Sequence, residues 1–524
     1  LFDVVFNGAF IVDGLGSDPF RADVAILGGE IAAIGHDLGS SREIVDIDGL
    51  HLVPGFVDIH GHSELRAMVD PGLYPKLLQG YTTELGGNCG VGLAPVRHEG
   101  RVDLAKEVSG ILGLGPQDWP WSSFPELLDH LGSMNFGLDL GLLVPHGPLR
   151  RFVMGERSCQ SATAEDLSQM AMLLDQAIEA GAFGLSTGLF YDPCCYCDGR
   201  ELEALFSVVA ARGGLVSVHQ RSEGDGILDS LEEILSPAER TGARLQISHL
   251  KIGGRRNAHK LEAVLGRIGS AVDSGVDVAF DQYPYSAGST SLYSLLPPRW
   301  MGLDFSLLRR SLCDKVDRSI IKEEMENPDG WDGVHSLVGW GGIYLTSAQR
   351  EEHRPYLGKS LEEIGRMRGE DPFDSFFYLL SEEGKALTMI DFITSDEMVE
   401  GIMAHPLQMF GTDGLYSPCP HPRTFGCSYR VLGDYVKGGK LSLPEAVNKL
   451  SSRPATRMGL SDRGTIQVGK KADLVALDMD AMANMADYGH PDRIGEGIPF
   501  VWVGGKLSVR DKTVVGLGGR LLRR

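Results

Sequence analysis

Eight short, largely apolar runs, seven of them ending in a polar or ionisable residue, constrain this chain more than any other feature. They fall at residues 55–60, 82–88, 138–145, 183–187, 215–219, 244–249, 276–281 and 406–412. A run that is apolar throughout, not at alternate residues, describes a strand covered on both faces, as in a parallel sheet flanked by helices. The helices between them are legible. Thr163 precedes a stretch in which Leu167, Met170, Ala171, Leu174, Ala177 and Ile178 share a face, and Gly181 ends it. Leu202, Leu205, Phe206 and Val209 make a second helix, stopped at Gly213-Gly214. Ile227, Leu231, Ile234, Leu235 and Ala238 make a third, stopped at Gly242. Eight strands alternating with such helices imply an α/β chain closed into a (β/α)8, TIM-like barrel.

The two ends read differently. Short β-favouring runs at 3–11, 23–27, 30–34 and 43–48 are broken by Gly or Asp, and 464–468, 473–478 and 500–509 repeat the pattern. They predict one small β-sandwich domain built from both termini. Residues 290–404 are too long for one crossover between the seventh and eighth strands and predict an inserted, partly helical subdomain that covers the barrel mouth. The expected division is therefore 1–52 (small domain), 53–289 (strands one to seven), 290–404 (insertion), 405–457 (eighth strand and closing helices) and 458–524 (small domain).

Composition removes some classes of partner. Lys and Arg number 49 against 71 Asp and Glu, a formal charge of −22. That opposes nucleic acid or an anionic membrane as a general partner. No run of 18 apolar residues marks a membrane span. The eight cysteines follow no framework spacing, which predicts a reducing, cytoplasmic setting.

Chemistry gathers at the carboxyl ends of the runs, where barrel enzymes carry their sites. The first ends in His60-Gly-His62, and residues two apart in a strand face the same way. The second ends in Asn88-Cys89-Gly90, offering a thiolate, a good zinc ligand, between glycines that admit close approach. The fifth and sixth end in His219 and His249, and the eighth in Asp413. A carboxylate there can bind metal or accept a proton from water. Each residue alone is equally an ordinary loop histidine, half-buried thiol or Asp-Gly turn. Their joint placement after five strands is what argues for a metal site.

The chain resembles the D-aminoacylase (N-acyl-D-amino-acid deacylase) group of the amidohydrolase superfamily. The resemblance runs from Val53-Pro-Gly-Phe-Val-Asp-Ile-His60-Gly-His62 through Gly87-Asn-Cys89-Gly, Ser248-His249-Leu-Lys251 and Asp281-Gln-Tyr283-Pro-Tyr-Ser-Ala-Gly-Ser289 to Gly411-Thr-Asp413-Gly and His421-Pro-Arg423-Thr. It implies zinc-dependent hydrolysis of the amide bond of a small-molecule N-acyl amino acid. Cys89, His219 and His249 would hold the tight zinc. His60, His62 and Asp413 would frame a second, weaker site that Cys89 can bridge. Asp413 would act as general base and acid, and Lys251, Tyr191, Tyr283, Ser289 and Arg423 would hold the substrate. A guanidinium at Arg423 suits a carboxylate independently of the resemblance. Many relatives bridge two metals with a carboxylated lysine on the fourth strand. Ala182-Phe-Gly-Leu-Ser-Thr187 offers none, which also speaks against the alternative of a cyclic-amide hydrolase of the hydantoinase or dihydroorotase kind. The loop holding Cys194, Cys195 and Cys197 departs from the family pattern, as loop variation or as extra thiols able to bind metal or oxidise.

Overall fold

The computed structural model describes residues 1–116 and 118–524. Eight parallel strand segments form the expected barrel of a mixed α/β fold. They are Phe56–Asp58, Tyr81–Gly86, Asp139–Leu142 continued by Val144–Pro145, Gly184–Gly188, Leu215–His219, Arg244–Ile247, Val278–Gln282 and Gln408–Phe410. The seam between the last and first strands closes beyond the strand ends, where Asp413 N–H donates to His60 O at 2.8 Å.

The seam is also held by charge. Lys76 is fully buried; its Nζ lies 2.5 Å from Asp58 Oδ2 and 3.3 Å from Glu84 Oε2, and it donates to Thr412 Oγ1. Thr412 in turn donates to both Asp58 oxygens, at 2.9 Å and 2.6 Å. One buried ammonium thus ties the first, second and eighth strands. A buried ion is tolerated only when partners satisfy it this fully.

The helices follow their sequence signals. Thr163 and Asp166 form a capping box on Ala164–Glu179. Asp198 caps Gly199–Ala211, and Gly242 ends Ile227–Thr241 in the left-handed conformation. Their apolar faces join the principal core around Leu174, Phe206 and Ile234.

The chain ends build one nine-stranded sheet that includes Phe2–Ile11, Phe20–Leu27, Glu30–Gly35, Ser41–Asp46 and His51–Pro54 from the first part and Leu474–Leu477, Phe500–Val503 and Lys506–Arg510 from the last. Two expectations need correction. Residues 464–468 form no strand; they lie between Gly464 and Gly469, both at positive φ, and Ile466 makes one isolated bond to Asp13 O. The run 500–509 is two strands, because Gly504-Gly505 at φ +57° and +74° turn it into a hairpin.

The stretch between the last two barrel strands carries an antiparallel sheet of Gly288–Ser291, Thr388–Asp391 and Ile343–Leu345. Helices including Phe305–Cys313, Leu361–Arg368 and Pro372–Glu383 pack on it around Leu308, Phe376 and Met389. Asp332, Val334, Asp391 and Ile393 of this stretch line the cavity at the barrel mouth. Among the described residues no helix is long and apolar enough to cross a membrane.

Candidate active site

The barrel mouth opens into a cleft holding about 650 Å³ of space, part of it open to solvent. At its floor the structure brings together all six residues singled out as ligands. Cys89, His219 and His249 place donor atoms within 4.8 Å of one another, as do His60, His62 and Cys89, and His60, His249 and Asp413. None of the six is more than 7% exposed. Cys89 Sγ stands 3.3 Å from His60 Nε2 and 3.5 Å from His249 Nε2, so the thiol sits between the two groups of donors.

The backbone aims these side chains. Cys89, His249 and Asp413 have φ of +56°, +35° and +47°, in the left-handed region that non-glycine residues rarely take. Two glycines make the Cys89 turn possible. A Cβ on Gly87 would stand 2.4 Å from Leu143 O, and one on Gly90 2.7 Å from Gly188 N. The first strand ends at Asp58, yet His60 and His62 still converge, their ring centroids 5.4 Å apart.

The electrostatics suit a cation. Burial pushes the Cys89 thiol up, but His60 and His249, with hydrogen bonds from His219 and His249, pull it well below its usual value. The thiolate form that results is the metal-binding one. Burial and the neighbouring His249 lower His219. Burial also pushes Asp413 up, and Arg423, His60 and His62 together hold it well below the carboxylate range. His62 Nδ1 and His219 Nδ1 are buried with no hydrogen-bond partner among the described residues. A buried set of one thiolate, four imidazoles and one carboxylate, with ring nitrogens left over, fits a zinc ion.

The remaining predicted residues line the same cavity, in unequal ways. Arg423 is fully buried, with Nη2 3.0 Å from Asp413 Oδ2 and 3.0 Å from Ser289 O, and its Nε and Nη1 unpartnered among the described residues. Its guanidinium lies 4.3 Å from the Tyr283 ring centroid. Lys251 is engaged by Glu223 Oε1 at 2.7 Å and His249 Nδ1 at 2.9 Å, so its charge is already matched within the protein. Tyr191 packs on His219 and pairs its hydroxyl with Thr290 Oγ1 at 2.8 Å. The Ser289 hydroxyl donates to Met389 O. Cys194, Cys195 and Cys197 are free thiols outside the cavity lining; their loop delivers Phe190 and Tyr191 instead.

Sequence reasoning missed three carboxylates. Asp281, the penultimate residue of the seventh strand, accepts from His249 N at 2.8 Å and lies 3.1 Å from His60 Nδ1. Its place after an apolar run was the signal available. Glu223 fixes Lys251 and reaches His249 Nδ1 at 3.0 Å. Asp391 enters from the insertion. Neither of these last two had a sequence signal.

A model described as the amidohydrolase family matches residues 43–296 and 346–509. The N-acyl-D-glutamate deacylase of Alcaligenes xylosoxydans xylosoxydans is 34% identical over 100% of this chain and 96% of its own length. The crystal structure of N-acyl-D-glutamate deacylase from Bordetella bronchiseptica, complexed with zinc and a phosphonate mimic of the tetrahedral intermediate, superposes with a TM-score of 0.86 at 32% identity, covering 100% of both chains. A D-aminoacylase structure described for its binuclear metal centre, with one-metal activation and second-metal attenuation, gives 0.85 at 30% identity, again over 100% of both.

Proposed function

The chain belongs to the amidohydrolase family, in its D-aminoacylase group, and from that premise we propose that it is a zinc enzyme hydrolysing the amide bond of an N-acyl-D-amino acid to a carboxylate and a free amino acid. The observation that carries this reading is the convergence of Cys89, His219 and His249 on one point, with Asp413 and Arg423 on the wall beside it.

Cys89, His219 and His249 would hold the tight ion, and His60, His62 and Asp413, sharing Cys89, a weaker second one. Zinc bound there would supply Lewis acidity toward the amide carbonyl and make the attacking water more acidic. Asp413 takes the proton of the attacking water, so that its oxygen can bond to the carbonyl carbon. It then returns that proton to the amide nitrogen as the C–N bond breaks. Arg423 exchanges part of its contact with Asp413 for the substrate's carboxylate, using the Nε and Nη1 donors that have no partner among the described residues. Tyr283 backs the guanidinium, and Tyr191, Ser289 and Lys251 complete the wall that fixes the amide's position. We also read 1–52 with 458–524 as a small β-sandwich domain and 290–404 as the inserted cover.

The test is a side-by-side assay of N-acetyl-D- and N-acetyl-L-amino acids and a hydantoin on zinc-loaded protein. Turnover of the D-acyl substrates supports the proposal. Turnover of the hydantoin alone would overturn it in favour of cyclic-amide hydrolysis.

A further inference from the structure

Resting on the deacylase reading above, we propose that Asp391 selects the substrate's side chain, admitting one that carries an ammonium or guanidinium and excluding one that carries a second carboxylate. Asp391 closes the inserted strand Thr388–Asp391, paired with Gly288 on one side and Ile343 on the other. Its side chain lines the cavity and is 4% exposed. Gly288 is what gives it room: a Cβ there would stand 2.9 Å from Asp391 Oδ1.

The charges on this wall leave Asp391 out. Lys251 is matched by Glu223, and Arg423 by Asp413. Asp332 accepts from Ser222 Oγ at 2.7 Å and from the N–H groups of Glu223 and Gly224 at 2.5 Å and 3.0 Å. Asp391 has no hydrogen-bond or ion-pair partner among the described residues; only the more distant charges of Lys251, Glu223 and Arg423 act on it. A buried carboxylate without a partner is costly, and one that faces a cavity is relieved when a ligand brings the missing cation.

The same accounting excludes an acidic side chain. If Arg423 turns to the substrate's α-carboxylate, no lysine or arginine of the lining is left for a second one, which would also face Asp391. Apolar neighbours, Ile393 beside it and Ile111 and Val334 in the same cavity, can cover a methylene stem.

The experiment measures kcat/KM of the zinc-loaded enzyme and of Asp391→Asn on N-acetyl-D-lysine, N-acetyl-D-methionine and N-acetyl-D-glutamate. The wild type is expected to favour lysine over methionine by about tenfold and over glutamate by at least about a hundredfold. Asp391→Asn should erase the advantage of lysine, leave methionine within about threefold and lift glutamate. Lysine no better than methionine, or glutamate as good as lysine, in the wild type overturns the proposal whether or not the variant folds. An equal loss on all three substrates in the variant also overturns it, since that is the mark of a structural role. Failure of the wild type on all three substrates would remove the deacylase reading itself, and this inference with it.

Discussion

Arg423 Nη2 lies 3.0 Å from Asp413 Oδ2, while the other carboxylate oxygen faces His62 Nε2 at 3.2 Å. Asp413 is thus gripped from the substrate side and from the metal side at once, which orients it without a flexible partner. Asp413→Asn keeps the shape but cannot take a proton. We expect kcat to fall by at least about a hundredfold while the tightly held zinc stays at the level of the parent, because Cys89, His219 and His249 are untouched. Turnover and metal content on the same preparation check this; an unchanged kcat would remove Asp413 from proton transfer.

Cys89 belongs to two of the three donor groups, so its loss should dismantle both. Cys89→Ala is expected to bind well under half an equivalent of zinc by elemental analysis after dialysis and to lose activity in proportion. Chelation of the parent enzyme should reproduce the loss, and added zinc should reverse it in the parent alone.

Arg423→Lys retains a charge but loses the planar fork and the stacking on Tyr283. The expected effect is a rise in KM of about ten- to a hundredfold with zinc content unchanged. Equal KM values for parent and variant would place the substrate's carboxylate elsewhere.

Lys76→Met tests what holds the barrel seam. It strands Asp58 and Glu84 without their shared cation, and breaking a buried ion pair from one side costs about 3–5 kcal/mol. A lower midpoint in urea unfolding, followed by far-ultraviolet circular dichroism, is expected for the variant. An unchanged midpoint would show the seam is held by the backbone and by Thr412 alone.

The preference between side chains should depend on pH. Burial raises Asp391 to about 6, with Lys251 and Arg423 pulling it down and Glu223 pushing it up. Its charge is present above that pH and lost as pH falls through it. The ratio of kcat/KM for N-acetyl-D-lysine to that for N-acetyl-D-methionine should therefore shrink between pH 8 and pH 5. Taking the ratio cancels the pH response of the metal site, and a flat ratio would count against ionised Asp391 as the selecting group.

The barrel was legible because its strands are buried on both faces and so read as unbroken apolar runs, from Val216-Ser-Val-His219 to Met409-Phe410. The placement of six candidate ligands followed, since the end of a parallel strand fixes which mouth a side chain serves. What stayed hidden depends on packing between distant segments. Nothing near Lys251 in sequence says that Glu223 will neutralise it, and nothing in Thr388-Met-Ile-Asp391 says that the central strand of the inserted sheet will reach the cavity. At the chain ends, glycine pairs decided between strand and turn, which a β-favouring composition does not resolve.

The left-handed turns at Cys89, His249 and Asp413 cost about 1–3 kcal/mol each, a sum that the surrounding packing has to meet. Donor positions are therefore written into the main chain and not into side-chain rotamers. Exchanging zinc for cobalt or cadmium should alter reactivity and spectrum while the mouth keeps its contour, so the emptied protein would be a rigid mould of the occupied one.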